Sequence, residues 1–309
     1  MSTDLAAQGR ASIKAGSKSF ALASRVLPPV LRDDASMLYA WCRHCDDVVD
    51  GQEMGHGQLA DYRDGQAERL ERLRTETRAA LAGKTGDPVY QGMAEVFARH
   101  AIPHRHAQEH LDGFQMDVDE RVYDTLPDIL DYSYHVAGVV GVMMARIMGV
   151  HGESTLDHAS DLGVAFQLTN IARDVIDDAR AGRVFVPRQL LAEHGAPVDA
   201  AQLAEEANWP AAHAAAVELL DVAESYYASA RVGIRDLPFR CAWAISAALR
   251  VYREIGEVLR AGGPEAWHGR VGAGTGRKLG LALKAGPDAL RRGRVGAVTR
   301  EGLYTRPTV

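Results

Sequence analysis

The sequence is poor in cysteine, with three in 309 residues. So few thiols argue against a disulfide scaffold and favour a reducing compartment. A membrane span is also missing, because the most apolar run, residues 136–150, has fifteen residues and contains Arg146; such a run is too short and too charged to cross a bilayer. The N-terminal residues lack the apolar core of a signal peptide. These absences predict a cytoplasmic protein, at most peripheral to a membrane.

Strand patterns are missing as well. No run of residues alternates between apolar and polar as a half-buried strand does, whereas helical periodicity runs through the chain. Ala, Leu, Arg and Glu, which favour helices, are abundant. The predicted helices include residues 32–53, 104–118, 153–181 and 237–262, and no shift in composition marks an internal boundary. We therefore predict one all-α domain over residues 1–286.

Charge is unevenly distributed. The net charge of −6 argues against general nucleic-acid binding. From His268 to Val309, however, nine Lys or Arg face two Asp or Glu. We predict that residues 287–309 form a basic, flexible tail. A solvated tail and electrostatic contact with an anionic membrane surface are both open interpretations.

The stretch 161–187 carries the strongest chemical pattern. Asn170, Asp174 and Asp178 are spaced by four residues, which places them in a column on one helix face, and Gln167 lies at its edge. The residues around them are mostly apolar, so the helix is predicted to be largely buried. Stacked carboxylates in such a helix need a cation, and all-oxygen ligands suit Mg²⁺ or Mn²⁺ rather than zinc.

A second acidic motif occurs in the apolar helix predicted at 32–53. Asp46 and Asp50 share a face, and Arg43 lies one turn before Asp46. One such pair alone is weak evidence, since exposed helix turns contain them often. Two pairs together predict a two-sided carboxylate site, and magnesium usually completes its coordination with water and substrate phosphates. The expected ligand is a diphosphate, which Arg43 could bind in a bidentate manner.

Two further segments complete the pattern. Ser17, Lys18 and Ser19 follow a glycine, and two hydroxyls beside a cation can hold phosphate oxygens. Residues 132–141 combine two tyrosines with Ala137, Gly138 and Gly141, small residues that indicate either close helix packing or a cavity wall. Tyrosine faces can stabilise a carbocation by cation–π attraction.

Taken in order, these motifs resemble the squalene/phytoene synthase family from about residue 10 to residue 285. The resemblance is carried by Ser17-Lys18-Ser19-Phe20, Tyr39-x-x-Cys-Arg43-x-x-Asp46-Asp47-x-x-Asp50, Tyr132-x-Tyr134-x-Val-Ala-Gly138-x-x-Gly141 and Asn170-Ile-x-Arg-Asp174-x-x-Asp177-Asp178. Within the family the chain looks most like the bacterial phytoene synthases. The resemblance implies the class I terpene synthase fold, a single helical bundle around a central cavity.

The resemblance also implies a reaction. Two prenyl diphosphates condense head to head through a cyclopropyl diphosphate, which ionises, rearranges and loses a proton. The phytoene branch uses geranylgeranyl diphosphate twice and belongs to carotenoid biosynthesis. The implied partners are these substrates, a membrane surface and other carotenoid-pathway enzymes. Mg²⁺ or Mn²⁺ is the implied cofactor, and NADPH is not expected.

The resemblance assigns roles to particular residues of this chain. Metal ligands are expected at Asp46, Asp50, Asn170, Asp174 and Asp178. Substrate contacts are expected at Ser17, Lys18, Ser19, Arg43, Gln167, Asn170 and Tyr252. Tyr39 and Tyr134 are expected to line the cavity or assist proton loss, together with Tyr252.

The sequence leaves several alternatives open. Squalene synthases resemble Tyr-Cys-His-Tyr-Val-Ala-Gly at the central motif, so His135 stands where their last tyrosine falls, and this favours a non-reductive product. The small residues of 21–24 favour geranylgeranyl over farnesyl diphosphate, which a dehydrosqualene-type synthase would use. A chain-elongating prenyl synthase is a weaker alternative. A non-enzymatic assembly-factor relative is another, although such proteins lose acidic motif residues that are present here.

Overall fold

The computed structural model describes residues 2–16, 18–51, 63–269, 271–291, 296 and 298–308. For residues 2–4, 16, 18 and 19 it describes the backbone alone. Within these ranges the regular structure is helical and contains no strand. The α-helices are α1 Ser2–Gly16, α2 Lys18–Ser24, α3 Pro29–Asp50, α4 Gln66–Leu81, α5 Pro88–Arg99, α6 Arg105–Val118, α7 Leu126–Ser133, α8 Val139–Ile147, α9 Glu153–Arg180, α10 Arg188–Glu193, α11 Ala200–Leu203, α12 Trp209–Gly233, α13 Phe239–Gly262 and α14 Thr275–Arg291. The all-α prediction is confirmed.

Helix ends follow the local sequence. The helix predicted at 32–53 is α3, which begins at Pro29 and ends at Asp50. The start of α3 lies three residues earlier than predicted. A proline is tolerated in the first helical turn, because the backbone N–H that it lacks would have no partner within the helix. Gly51 then ends the helix in the left-handed region, with a φ of 59°. Asp46 and Asp50 therefore lie in the C-terminal turns of α3.

Helix α9 is the centre of the bundle. It runs for 28 residues and is buried over most of its length, as predicted for residues 153–181. Leu162, Val164, Ala165 and Leu168 belong to the main hydrophobic core, which α9 forms with α7, α8, α12 and α13. The burial of these apolar side chains holds α9 in place and presents its remaining face to a cavity.

A π-helical turn, Tyr134–Gly138, joins α7 to α8. This segment lies against α9 at backbone distance: a Cβ on Gly163 would come within 2.2 Å of the Ala137 carbonyl oxygen, and one on Gly141 within 2.3 Å of the Ala159 oxygen. Ala137 and Gly141 also line the cavity. The small residues of 137–141 therefore serve both purposes that the sequence left open, close packing and a cavity wall.

The C-terminal region contains one helix and one extended segment. Helix α14 lies on α13, where Trp243 Nε1 donates a hydrogen bond of 2.8 Å to the Ala282 carbonyl. Beyond Arg291, residues 298–308 are described, and Leu303 and Tyr304 pack against the main core. The flexibility of the tail stays a prediction, but this part of it lies on the bundle.

Candidate active site

A cavity of about 430 Å³ runs through the bundle. Along α9 its wall extends from Asn170 to Thr155, a distance of about 22 Å at the rise of an α-helix. The walls between are mostly apolar. The polar end is lined by Arg43, Asp46, Asp50, Asp117, Gln167, Asn170 and Arg183, and the far end by the buried residues Leu27, Met148, His158 and Leu237. The arrangement suits a molecule with a charged head and a long hydrocarbon chain.

The C-terminal turns of α3 supply the first acidic pair. Asp46 forms a close ion pair with Arg43, and both face the cavity. Burial raises the pKa of Asp46 to about 6, although the guanidinium of Arg43 opposes that rise. Asp50 accepts a hydrogen bond of 3.1 Å from Arg183. A carboxylate that is costly to charge in the free protein gains from a cation brought by the ligand.

The second motif lies late in α9. Gln167 and Asn170 line the cavity, whereas Asp174 and Asp178 lie further along the helix and are not part of its wall. Arg173 forms a bidentate pair with Asp174, with an Nε–Oδ1 distance of 2.7 Å. Burial and the charge of Asp174 raise the pKa of Asp178 to about 8. The Oδ1 atom of Asn170 is buried and has no hydrogen-bond partner within the described residues.

Two charged residues at the polar end, Arg183 and Asp117, were not predicted from the sequence. The Arg183 guanidinium lies 3.1 Å from Asp50 and 3.9 Å from Asp117. Asp117 also accepts a hydrogen bond of 3.2 Å from the Tyr132 hydroxyl, and burial raises its pKa to about 7. Helical spacing could have identified Asp117, because it shares a face of α6 with the buried residues His110 and Phe114. Nothing in the local sequence of Arg183 indicates its partners.

Aromatic rings cover the wall beside the polar end. Phe166 and Tyr252 stack with centroids 4.1 Å apart, and Phe20 stacks on Tyr252 at 5.3 Å. Tyr39 meets Phe20 edge-on at 6.5 Å. All four line the cavity. The predicted positions of Tyr39 and Tyr252 thus converge on one aromatic wall.

Tyr134 lies elsewhere. Its ring is fully buried on the outer side of the π-helical turn, and its hydroxyl donates a hydrogen bond of 2.8 Å to Glu109. The ring stacks on Tyr304 with centroids 5.4 Å apart. It is not among the residues that line the cavity. Ser17 and the side chains of Lys18 and Ser19 lie outside the described residues.

The donor set at the polar end fits a hard divalent cation. Carboxylate and amide oxygens are the ligands that Mg²⁺ and Mn²⁺ prefer. The Oδ1 atom of Asn170, which has no hydrogen-bond partner within the described residues, is such an oxygen. Across the ranges that the structure describes, no three His, Cys, Asp or Glu side chains lie close enough to form a metal site alone. Metal ions at this end therefore need phosphate oxygens or water to complete their coordination, as Mg²⁺ usually does.

Comparisons with known proteins agree with this geometry. The squalene/phytoene synthase family model matches residues 13–277. A 15-cis-phytoene synthase from Paracoccus sp. is 51% identical over 307 residues, which cover 99% of each chain. A phytoene synthase from Pseudescherichia vulneris is 50% identical over 256 residues, covering 82% of each chain. The crystal structure of a dehydrosqualene synthase in complex with ligand matches with a TM-score of 0.80 and 27% identity, covering 94% of this chain and 98% of that one.

Proposed function

Since the chain belongs to the squalene/phytoene synthase family, we propose that it condenses two molecules of geranylgeranyl diphosphate head to head to give phytoene and two diphosphates. The chain is a prenyltransferase. The observation that supports the proposal is a long apolar cavity with one polar end, which Asp46, Asp50 and Asn170 line. Asp174 and Asp178 follow Asn170 further along α9, outside the cavity wall. The reaction passes through a cyclopropyl diphosphate, as the family resemblance implies.

The polar end binds and orients the diphosphates. Asp46, Asp50, Asn170, Asp174 and Asp178 would hold Mg²⁺ or Mn²⁺ together with the diphosphate oxygens. When bound, the metal supplies positive charge that stabilises the leaving diphosphate. Arg43 and Arg183 lie at the same end of the cavity and are placed to bind phosphate oxygens through their N–H groups.

The apolar walls protect the carbocation. Water is excluded from a cavity lined by buried aliphatic and aromatic side chains, so a cation formed there survives long enough to meet the second prenyl chain. The faces of Phe20, Phe166 and Tyr252 offer cation–π stabilisation. Burial raises the pKa of Tyr39 above its ordinary value and that of Tyr252 to about 12. Both hydroxyls therefore stay protonated at neutral pH and act as wall and hydrogen-bond donors rather than as bases.

Product analysis tests the proposal. The protein is incubated with geranylgeranyl diphosphate and Mg²⁺, and hydrocarbon and diphosphate are both quantified. We expect a forty-carbon hydrocarbon from the wild type and at least a hundredfold loss in Asp174→Ala, the size of effect that follows removal of a charge-stabilising group. Asp177→Ala is the matched control, because Asp177 lies in the same motif but is exposed and paired with Arg180. A thirty-carbon product from farnesyl diphosphate alone would move the protein to the dehydrosqualene branch of the family.

We further infer that the protein contacts membranes through α14. In the ranges that the structure describes, no helix is long and apolar enough to cross a membrane. Leu279, Leu283 and Leu290 project from the outer face of α14 and are 51%, 62% and 71% exposed. Lys284 and Arg291 add positive charge to the same helix. An exposed apolar face with basic residues suits the interface of an anionic bilayer, where a hydrocarbon product would also partition.

Co-sedimentation with vesicles of phosphatidylcholine and phosphatidylserine tests this contact. We expect Leu283→Asp/Leu290→Asp to lower the bound fraction at least about tenfold, because two apolar side chains no longer insert. Val122→Asp is the control, since Val122 is 45% exposed but far from α14 in sequence and lies between α6 and α7. Equal binding of the double variant and the wild type would contradict the inference. Association with other pathway enzymes stays a prediction from the resemblance.

A further inference from the structure

The extended segment after α14 is anchored rather than loose along residues 298–308. Arg306 is 2% exposed although it belongs to the basic C-terminal region. Its guanidinium binds Asp157 at 2.7 Å and forms a second, close ion pair with Glu153 in the first turn of α9. Tyr304 N–H donates a hydrogen bond of 3.0 Å to the Tyr226 hydroxyl on α12. The segment therefore ties the start of α9 to α12.

Arg300 completes a buried polar chain that ends at the cavity. Its Nε and Nη2 bind the two carboxylate oxygens of Asp161 at 2.7 and 2.9 Å, and Asp161 is 1% exposed. The hydroxyl of Ser229 donates a hydrogen bond to the same carboxylate. The oxygen of Ser229 must then accept from Nδ1 of His158, 2.7 Å away, because a hydroxyl has one proton to give. His158 lines the far end of the cavity.

The charge balance makes Arg300 necessary for this chain. A buried carboxylate without a partner is strongly unfavourable, so Asp161 depends on the bidentate guanidinium. Without Arg300, the buried Asp161 carboxylate would lose its charged partner and turn to water or to another donor. In both cases the hydrogen bond from Ser229 changes, and His158 loses the partner that fixes its ring at the cavity end.

Tyr304 supports a different wall. Its ring stacks on Tyr134, the first residue of the π-helical turn, and its hydroxyl donates a hydrogen bond of 2.9 Å to Asp131 in α7. Val136 and Ala137 in that turn line the middle of the cavity. π-helical turns are rare and occur mostly as single turns within α-helices, frequently at functional sites. The stacked rings of Tyr304 and Tyr134 support this turn on its outer side.

We propose that residues 298–306 are a strap that positions two walls of the prenyl cavity, with Arg300 fixing the far end through Asp161, Ser229 and His158, and with Tyr304 fixing the π-helical turn through Tyr134 and Asp131. The proposal rests on the proposed function. The strap acts on where the hydrocarbon chains lie and not on ionisation at the polar end. Loosening it therefore separates the two events: a first diphosphate still leaves, but the allylic cation is misplaced relative to the second chain.

Loosening the strap is expected to weaken the coupling between the release of diphosphate and the formation of hydrocarbon. A cation that misses the second double bond is captured by water, which gives the prenyl alcohol and a proton and releases diphosphate without hydrocarbon. Complete coupling releases two diphosphates for each hydrocarbon formed. A displaced wall raises that ratio, and it also raises KM for the prenyl substrate, because misplacement of even about 1 Å is costly in an enzyme site.

The test measures diphosphate, hydrocarbon and prenyl alcohol in the same reaction for the wild type, Arg300→Gln, Arg300→Lys, Tyr304→Phe and Glu301→Gln. For Arg300→Gln and Tyr304→Phe we expect the ratio of diphosphate to hydrocarbon to at least double, with prenyl alcohol as the missing product. Arg300→Lys should recover part of the coupling because it keeps the charge beside Asp161. Glu301→Gln, an exposed position in the same segment, should behave as the wild type.

The outcomes separate the strap from the proposed function. A wild-type ratio in both folded variants would overturn the strap. If Arg300→Gln fails to fold, Tyr304→Phe decides, because it loses one hydroxyl and keeps the packed ring. If the wild type makes its product from farnesyl diphosphate instead, the assigned substrate is wrong, and the same ratio measured with that substrate still tests the strap.

Discussion

His110 is a buried imidazole whose protonation is opposed by its surroundings. It is 3% exposed, and its ring lies 5.4 Å from that of Trp41 and 5.1 Å from that of Phe114. Burial lowers its pKa to about 4, although its hydrogen bond to the His135 carbonyl favours the charged form. The unfolded chain should titrate this group near about 6.5. Folding therefore keeps His110 neutral across a pH range in which the unfolded state binds a proton.

The sign of the effect follows from that difference. Between pH 6.5 and 4 the unfolded state binds more protons, so the free energy of unfolding falls as the pH falls. We expect the wild type to lose up to about 3 kcal/mol more than His110→Phe across this range. Urea unfolding at pH 7, 6, 5 and 4 measures both curves. A constant difference between the two proteins from pH 7 to pH 4 would contradict the prediction.

For individual residues, spacing along the sequence grouped some of the residues of the candidate site and missed others. Asp46 and Asp50, or Gln167 and Asn170, lie one turn apart on one helix, so local periodicity was enough to group them. Arg183 and Asp117 are joined only by tertiary packing at the polar end, and periodicity carries no information on such pairs. Tyr134 was grouped by its motif with the cavity residues, whereas the π-helical turn directs its ring outward to Glu109 and Tyr304.

At the scale of elements, the contact between the π-helical turn and α9 depends on the absence of side chains. A Cβ on Gly163 would approach the Ala137 carbonyl oxygen to 2.2 Å and the Gly138 Cα to 2.8 Å. Both neighbours are backbone atoms, so neither can rotate away. Gly163→Ala must therefore push the turn from α9 and open the wall to which Ala137 contributes.

We expect Gly163→Ala to lower the free energy of unfolding by about 3 kcal/mol or more, the upper range of overpacking in a core. Gly280→Ala is the matched control, because Gly280 lies inside α14 and a Cβ there meets nothing within 4 Å. That control should be more stable by up to about 1 kcal/mol, since alanine is the better helix former. Chemical denaturation of both variants checks the pair. Equal stability of Gly163→Ala and the wild type would show that the backbone contact yields easily.

Most elements were predictable because their signals are local. The periodic apolar positions of 153–181 and 237–262 gave α9 and α13 to within about two residues. The π-helical turn was not predictable, because its extra residue leaves no mark in the apolar pattern of 126–147. The placement of residues 298–308 was also beyond the sequence: their positive charges suggested solvent, but their partners Glu153, Asp157 and Asp161 lie more than 130 residues away in the chain.

At the scale of the whole molecule, charge is concentrated where the helices converge. The C-terminal turns of α3, α6 and α9 bring acidic residues to one end of the bundle, and Arg183, just after α9, is the cation that meets two of these groups. It lies 3.1 Å from Asp50 on α3 and 3.9 Å from Asp117 on α6. Arg183 also opposes the rise in the pKa of Asp117, Asp178 and Asp46. One guanidinium, held just after α9, thus contacts α3 and α6 at the polar end of the cavity.

Arg183→Gln removes the charge and shortens the side chain, but keeps a polar amide. We expect kcat/KM for geranylgeranyl diphosphate to fall at least about tenfold, mainly through KM, because a bidentate donor to phosphate is lost and the carboxylates then repel the diphosphate. Arg183→Lys should lose less, since a single ammonium keeps the charge but not the fork of donors. Steady-state kinetics at saturating Mg²⁺ checks the series, with Arg180→Gln as the control at an exposed position on the last turn of α9. An unchanged KM in Arg183→Gln would mean that Arg183 holds the helices together and does not meet the substrate.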